Sequence, residues 1–115
     1  MKTKSLLIHL DLKPLSVNAA YRGRRFATKE LVKYKTDVCR LLPRMIIPKK
    51  TKLAVRYVFG VSAATDGDNA IKAFQDALAE RYVFNDKLIY EWHITKIAVP
   101  KGEEFIEFAI EAMAP

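Results

Sequence analysis

From Asn69 to Ala79, the apolar residues Ala70, Ile71, Phe74, Ala77 and Leu78 recur at spacings of three and four. Lys72, Asp76 and Glu80 follow Asp68 at intervals of four on the polar side. That period predicts a helix with one apolar stripe. The same period returns from Thr28 to Leu42, where Leu31, Tyr34, Val38, Leu41 and Leu42 form the stripe and Thr28 is placed to cap. Elsewhere the period falls to two or the residues turn β-branched and aromatic. "KSLLIHLDL" (Lys4–Leu12), "TKLAVRYVFGV" (Thr51–Val61), "KLIYEWHITKIAV" (Lys87–Val99) and "EFIEFAIEAM" (Glu104–Met113) therefore predict strands. The last sets Phe105, Glu107 and Ala109 against Ile106, Phe108 and Ile110, and Trp92 and Ile94, alternating with His93, are expected in the core. Pro, Gly, Ser and Asn mark Lys13–Ala27 as a long loop, and Pro43 and Pro48 punctuate the chain after the first helix. The predicted order is β-α-β-α-β-β. This is an α/β (α+β) pattern: a single small domain, residues 1–115, with a mixed sheet and two main helices. No internal repeat, linker or low-complexity segment interrupts it.

Composition narrows the class. A chain of 115 residues, half of them hydrophobic, supports one compact core. No apolar run approaches the ~20 residues that span a bilayer. The N-terminal apolar run is broken by His9 and Asp11 and no small-residue cleavage site follows, so no signal peptide is read and the cytoplasm is the expected location. The single cysteine, Cys39, excludes an internal disulfide and a cysteine-built zinc site.

Charge changes the picture more. The net formal charge is +7, but it is divided. Residues 1–65 hold 15 Lys/Arg against 3 Asp/Glu, a net +12, and residues 66–115 hold 5 against 10, a net −5. A basic half beside an acidic half fits a polyanionic partner served by a separate acidic site. The densest basic cluster is Arg22, Arg24, Arg25 and Lys29, suited to phosphates or simply to a solvated loop. Tyr21 beside it suits stacking on an exposed base or packing.

The acidic half holds "TDGDNAIKAFQDALAE", Thr65–Glu80, with Asp66 and Asp68 one residue apart. A capping role explains Asp68, because an N-cap carboxylate accepts backbone N–H bonds at the positive helix end. It leaves Asp66 unexplained. An EF-hand is excluded, since its sixth position, counted from Asp66, holds Ile71 and its twelfth holds Ala77. Asp86 is a third carboxylate, in "YVFNDK", where an Asn-Asp turn is the plain reading. Spacing alone does not bring it to Asp66. Asp76 reads either as a carboxylate behind the site or as a charge on the helix surface.

Taken together, "DGDNAIKAFQDAL" followed by "FNDKLIYEWHITK" resembles the motif region of the RusA family of Holliday junction resolvases. The matching residues are Asp66, Asp68, Asn69, Lys72, Asp76-Ala77-Leu78, Asp86 and Lys96. The segment "PLSVNAAYRGR" resembles the family's Pro-x-Ser-x-Asn stretch, with Asn18, Tyr21 and Arg22, and Tyr34 falls where an aromatic is common in the first helix. Two departures stand out: Asn85 replaces the first of a frequent Asp pair, and "ERYVFN" lacks a glycine that often precedes it. The resemblance implies a homodimeric endonuclease acting on branched DNA, with Mg2+ as cofactor and Mn2+ as a substitute. It implies that Asp66, Asp68 and Asp86 hold the metal and share catalysis with Lys72. The matched loop residues Asn18, Tyr21 and Arg22, together with the basic cluster's Arg24, Arg25 and Lys29, are the expected DNA contacts. His9 and His93 read as sheet or surface histidines rather than bases. The competing reading is a non-catalytic basic DNA-binding module, in which the carboxylates serve only caps and turns.

Overall fold

The computed structural model describes residues 7–15, 21–22, 26–27, 29–48, 50–62 and 67–113, with the backbone alone at 21–22, 26–27 and 67–70. Among these residues six strands and two helices follow in order: β1 (Ile8–Leu10), β2 (Tyr21–Arg22), β3 (Phe26–Ala27), α1 (Lys29–Leu41), β4 (Leu53–Val61), α2 (Gly67–Tyr82), β5 (Ile89–Ala98) and β6 (Phe105–Ala112). A 3-10 turn, Asp86–Leu88, joins α2 to β5. The expected order is present with one addition: β2 and β3 pair as a short antiparallel hairpin within the segment expected to be a loop.

The other four strands form one mixed sheet in the order β1-β6-β4-β5. β6 runs antiparallel to both β1 and β4, whereas β4 and β5 are parallel and α2 makes the crossover between them. Parallel neighbours need such a connection, because a tight turn cannot return the chain to the starting end. β4 is thus central, and Leu53, Val55, Tyr57, Phe59 and Val61 all bury their side chains on the helix side. The core closes around Phe74 of α2. Its ring meets Tyr57 at 5.4 Å, Phe59 at 6.1 Å and Phe108 of β6 at 5.6 Å, all edge-on. Such edge-to-face contacts suit the aromatic quadrupoles. Leu31, Tyr34 and Val38 of α1 complete the cluster. Leu41, expected in that stripe, is 43% exposed. Leu42, just past the helix end, takes the buried place, its N–H donating to the Val38 carbonyl at 3.0 Å.

Trp92 and Ile94 are not core residues: they are 47% and 36% exposed. Both sit on the helix-facing side of β5, in register with Val55 and Tyr57. However, β5 is the sheet edge, and Phe74 centres the helix layer on β4 and β6. β5 has one strand neighbour, and α2 reaches it through Gln75 without closing over Trp92 and Ile94, which stay partly in water.

On the opposite sheet face Gly60 allows a close approach. A Cβ there would lie 2.3 Å from the Phe105 ring, so only glycine lets that ring cross the strand. His9 stacks on Phe105 with centroids 5.3 Å apart. The His9 Nδ1 lies 2.9 Å from Glu107 and its Nε2 3.0 Å from Asp11. These bonds, that to Glu107 first, raise the imidazole above its ordinary pKa of 6.5. A raised folded-state pKa gives stability that is complete below 6.5 and disappears as pH climbs through the folded value. Thermal melts should accordingly show the melting temperature falling as pH rises from 6 through the raised pKa. His9→Gln should remove that component, and an identical slope in the variant would assign it elsewhere.

Candidate active-site cleft

The crossover geometry decides the site. α2 begins where β4 ends, and the 3-10 turn then returns the chain to the start of β5, beside Leu53 of β4. Between α2 and β5 lies a cleft of about 430 Å³ lined by Ile71, Lys72, Gln75, Asp76, Asp86, Trp92 and Ile94. Lys72 and Asp86, which sequence spacing could not connect, therefore face one space. Asp76 joins them. Its carboxylate is partly covered and lies 3.4 Å from the Lys72 ammonium, one helical turn away. An exposed pair of this kind contributes only ~0.3–0.5 kcal/mol, so it orients the lysine more than it stabilises the helix. Among the described residues no cation pairs with Asp86, which leaves an exposed carboxylate open to the cleft.

Asp66 lies outside the described residues. Position 68 lies in the first turn of α2, so the helix starts earlier than Asn69 and Asp68 is not its N-cap residue. A helix continues as long as each added residue closes another backbone bond, and it begins at Gly67, two residues before Asn69. Position 68 is one turn before Lys72, in the row that continues through Asp76. Of the expected DNA contacts, Asn18, Arg24 and Arg25 lie outside the described residues. Tyr21 and Arg22 form β2, opposite Ala27 and Phe26, and Lys29 opens α1, exposed. Among the described residues no three His, Cys, Asp or Glu side chains converge as a metal-binding group. Two carboxylates in the cleft are hard oxygen donors, the type that Mg2+ and Mn2+ take. The donor chemistry present thus fits such an ion, with Asp66 and Asp68 as the further candidates.

The turn that delivers Asp86 is made without a glycine. Val83 ends α2 in the left-handed region at φ 54°. The Phe84 N–H donates back to the Ala79 carbonyl at 3.2 Å, closing a Schellman cap. Asn85 then caps the 3-10 turn, its side-chain oxygen accepting from the Lys87 N–H at 2.9 Å. Asn85 is therefore a turn-builder, a role in which an amide serves as well as a carboxylate. A β-branched residue in the left-handed region is strained. The left-handed conformation costs roughly 1–2 kcal/mol for an L-residue, and glycine gives back ~0.5–1 kcal/mol in unfolded-state entropy. Val83→Gly should raise stability by about 0.5–1 kcal/mol, seen as a higher midpoint in urea. A lower midpoint would show that Val83 packs rather than strains.

Behind the cleft, Gln75 holds two neighbours with one oxygen. Its Oε1 accepts from the Tyr57 hydroxyl at 3.1 Å and from the Trp92 indole N–H at 2.9 Å. Burial pushes the Tyr57 phenol well above its usual pKa, and the nearby Asp86 charge adds to the effect. Tyr57 is therefore a neutral donor at any ordinary pH. Gln75, Trp92 and Ile94 had no sequence signal for the site beyond their periodicity; Asp76 had one, its four-residue spacing from Lys72.

Comparison with curated proteins gives no match. Residues 15–110 match the family model described as Endodeoxyribonuclease RusA, which covers most of the chain and the whole of the cleft. The protein belongs to the RusA endodeoxyribonuclease family.

Proposed function

We propose that this nuclease is Mg2+-dependent, accepts Mn2+, and resolves four-way DNA junctions by paired symmetric cuts as a homodimer, in recombination and repair. Family membership brings Holliday junction resolvase activity and action on branched DNA. The observation that supports the finer reading is the cleft, where Lys72 and Asp76 of the crossover helix meet Asp86 of the turn that follows it. A binding module has no need for that combination beside a basic half.

A phosphodiester is anionic and resists attack by hydroxide. A bound divalent ion supplies a more acidic water and neutralises charge on phosphate. Asp66, Asp68 and Asp86 would hold it. Lys72 places an ammonium where negative charge grows on the phosphate. Asp76 keeps that ammonium aimed. The residues at Asn18, Tyr21, Arg22, Arg24, Arg25 and Lys29 would hold the arms through phosphates, a contribution that weakens with salt.

The dimer follows from symmetry. A four-way junction has a two-fold axis, and resolution needs cuts on two opposed strands. A C2 pair presents two equivalent clefts in matching orientation. Val32 of α1 and Ile46 after it are exposed apolar side chains that do not line the cleft, and they are the expected contact surface.

The test is cleavage of a synthetic four-way junction with and without Mg2+, with a linear duplex of the same sequence beside it. Two symmetric nicks that require the ion are expected. A junction bound but left uncut in both Mg2+ and Mn2+ would favour the non-catalytic binding module.

A further inference from the structure

The cleft has a wall that phosphate chemistry does not use. Besides Lys72, Asp76 and Asp86, the cleft is lined by Ile71 of α2 and by Trp92 and Ile94 of β5. Metal ions and phosphates gain nothing from an apolar wall. A nucleobase does.

We propose that Trp92 is the platform on which a base next to the scissile phosphate stacks once it leaves the helix at the branch point. Three observations carry this. Trp92 is 47% exposed although it is the largest side chain on the helix-facing side of β5. Its indole N–H is fixed by Gln75, which Tyr57 fixes in turn, so the ring edge is anchored while part of the ring stays open. It also lines the same cleft as Lys72 and Asp86, so a base against it and a phosphate against Lys72 belong to neighbouring parts of one nucleotide chain. An anchored ring loses little freedom on binding, which favours contact. Stacking tolerates any base, since every base has a π-face, but it requires a base free of its own stack. A branch point supplies one more readily than a continuous duplex. Trp92 thereby favours junctions over duplex, a selectivity that the carboxylates and Lys72 do not provide. The inference rests on the nuclease reading above.

Trp92 is the only tryptophan of the chain, so its emission reports this contact alone. The protein is titrated with a four-way junction and with a linear duplex, Ca2+ replacing Mg2+ to keep the DNA whole. Binding is followed separately by the anisotropy of a dye on a distal arm. In free protein the emission should be open to acrylamide. Junction should quench it and shield it, and duplex should do so far less. Trp92→Ala should weaken junction affinity roughly 10- to 100-fold, with little change for duplex, and Trp92→Phe should restore most of it. Junction binding by anisotropy with Trp92 emission and acrylamide access unchanged would overturn the proposal. So would emission already shielded in free protein and exposed on dilution, which would give this wall to a second copy of the chain. Absence of junction binding in the anisotropy channel would instead bring down the nuclease reading, and this inference with it.

Discussion

Asp86→Asn should lower Mg2+-supported junction cleavage by on the order of 10²–10³-fold while junction binding stays equal or tightens. Removing a group that merely supports a metal ligand costs about 10–100-fold, and a ligand itself should cost at least as much. The amide keeps the size and the turn. Asn85 still caps the 3-10 turn through its own side chain, so the backbone path into β5 is retained. What changes is one negative charge in the cleft, at an exposed position where no cation of the described residues is left unpaired by its loss. Metal affinity falls with that charge, and phosphate meets less repulsion. Asp66→Asn and Asp68→Asn should behave alike. Single-turnover cleavage in Mg2+, with gel shifts in Ca2+, separates the two effects. An Asp86→Asn enzyme that cleaves at the normal rate would leave Asp86 a turn residue and the three-carboxylate site wrong.

Phe74→Ala should cost about 3–5 kcal/mol of stability. The ring is fully buried, and its three edge-on neighbours come from β4 and β6. Tyr57, Phe59 and Phe108 belong to paired central strands, so they cannot easily close over the space that the ring leaves. Domains of this size are stable by only roughly 5–15 kcal/mol, so the variant should be marginal. Function should suffer with it, because α2 carries Lys72 and Asp76 on the face opposite Phe74. Urea denaturation followed by circular dichroism measures the loss. A cost below about 1.5 kcal/mol would mean that α2 shifts to refill the core.

Periodicity alone made both helices and the four sheet strands legible, because amphipathic spacing is a local property of the chain. The stripe of Ile71, Phe74, Ala77 and Leu78 needs only a helix to fall on one side, and Lys72 and Asp76 follow on the other. Motif order made the family legible as well. The β2–β3 hairpin was not legible, since two-residue strands carry no period. Nor was the fate of Trp92 and Ile94. Alternation showed that they share a face; only the strand order β1-β6-β4-β5, which puts β5 at the sheet edge, decided that this face opens into the cleft beside α2 and not into the core. The meeting of Lys72 with Asp86 was decided the same way. Fourteen positions separate them, and nothing local measures the distance across that interval. The crossover of α2, the left-handed Val83 that ends it and the Asn85 cap together turn the chain back so that Asp86 faces the helix it has just left. Side-chain spacing determines which face a residue occupies, whereas the path of the backbone determines what that face meets.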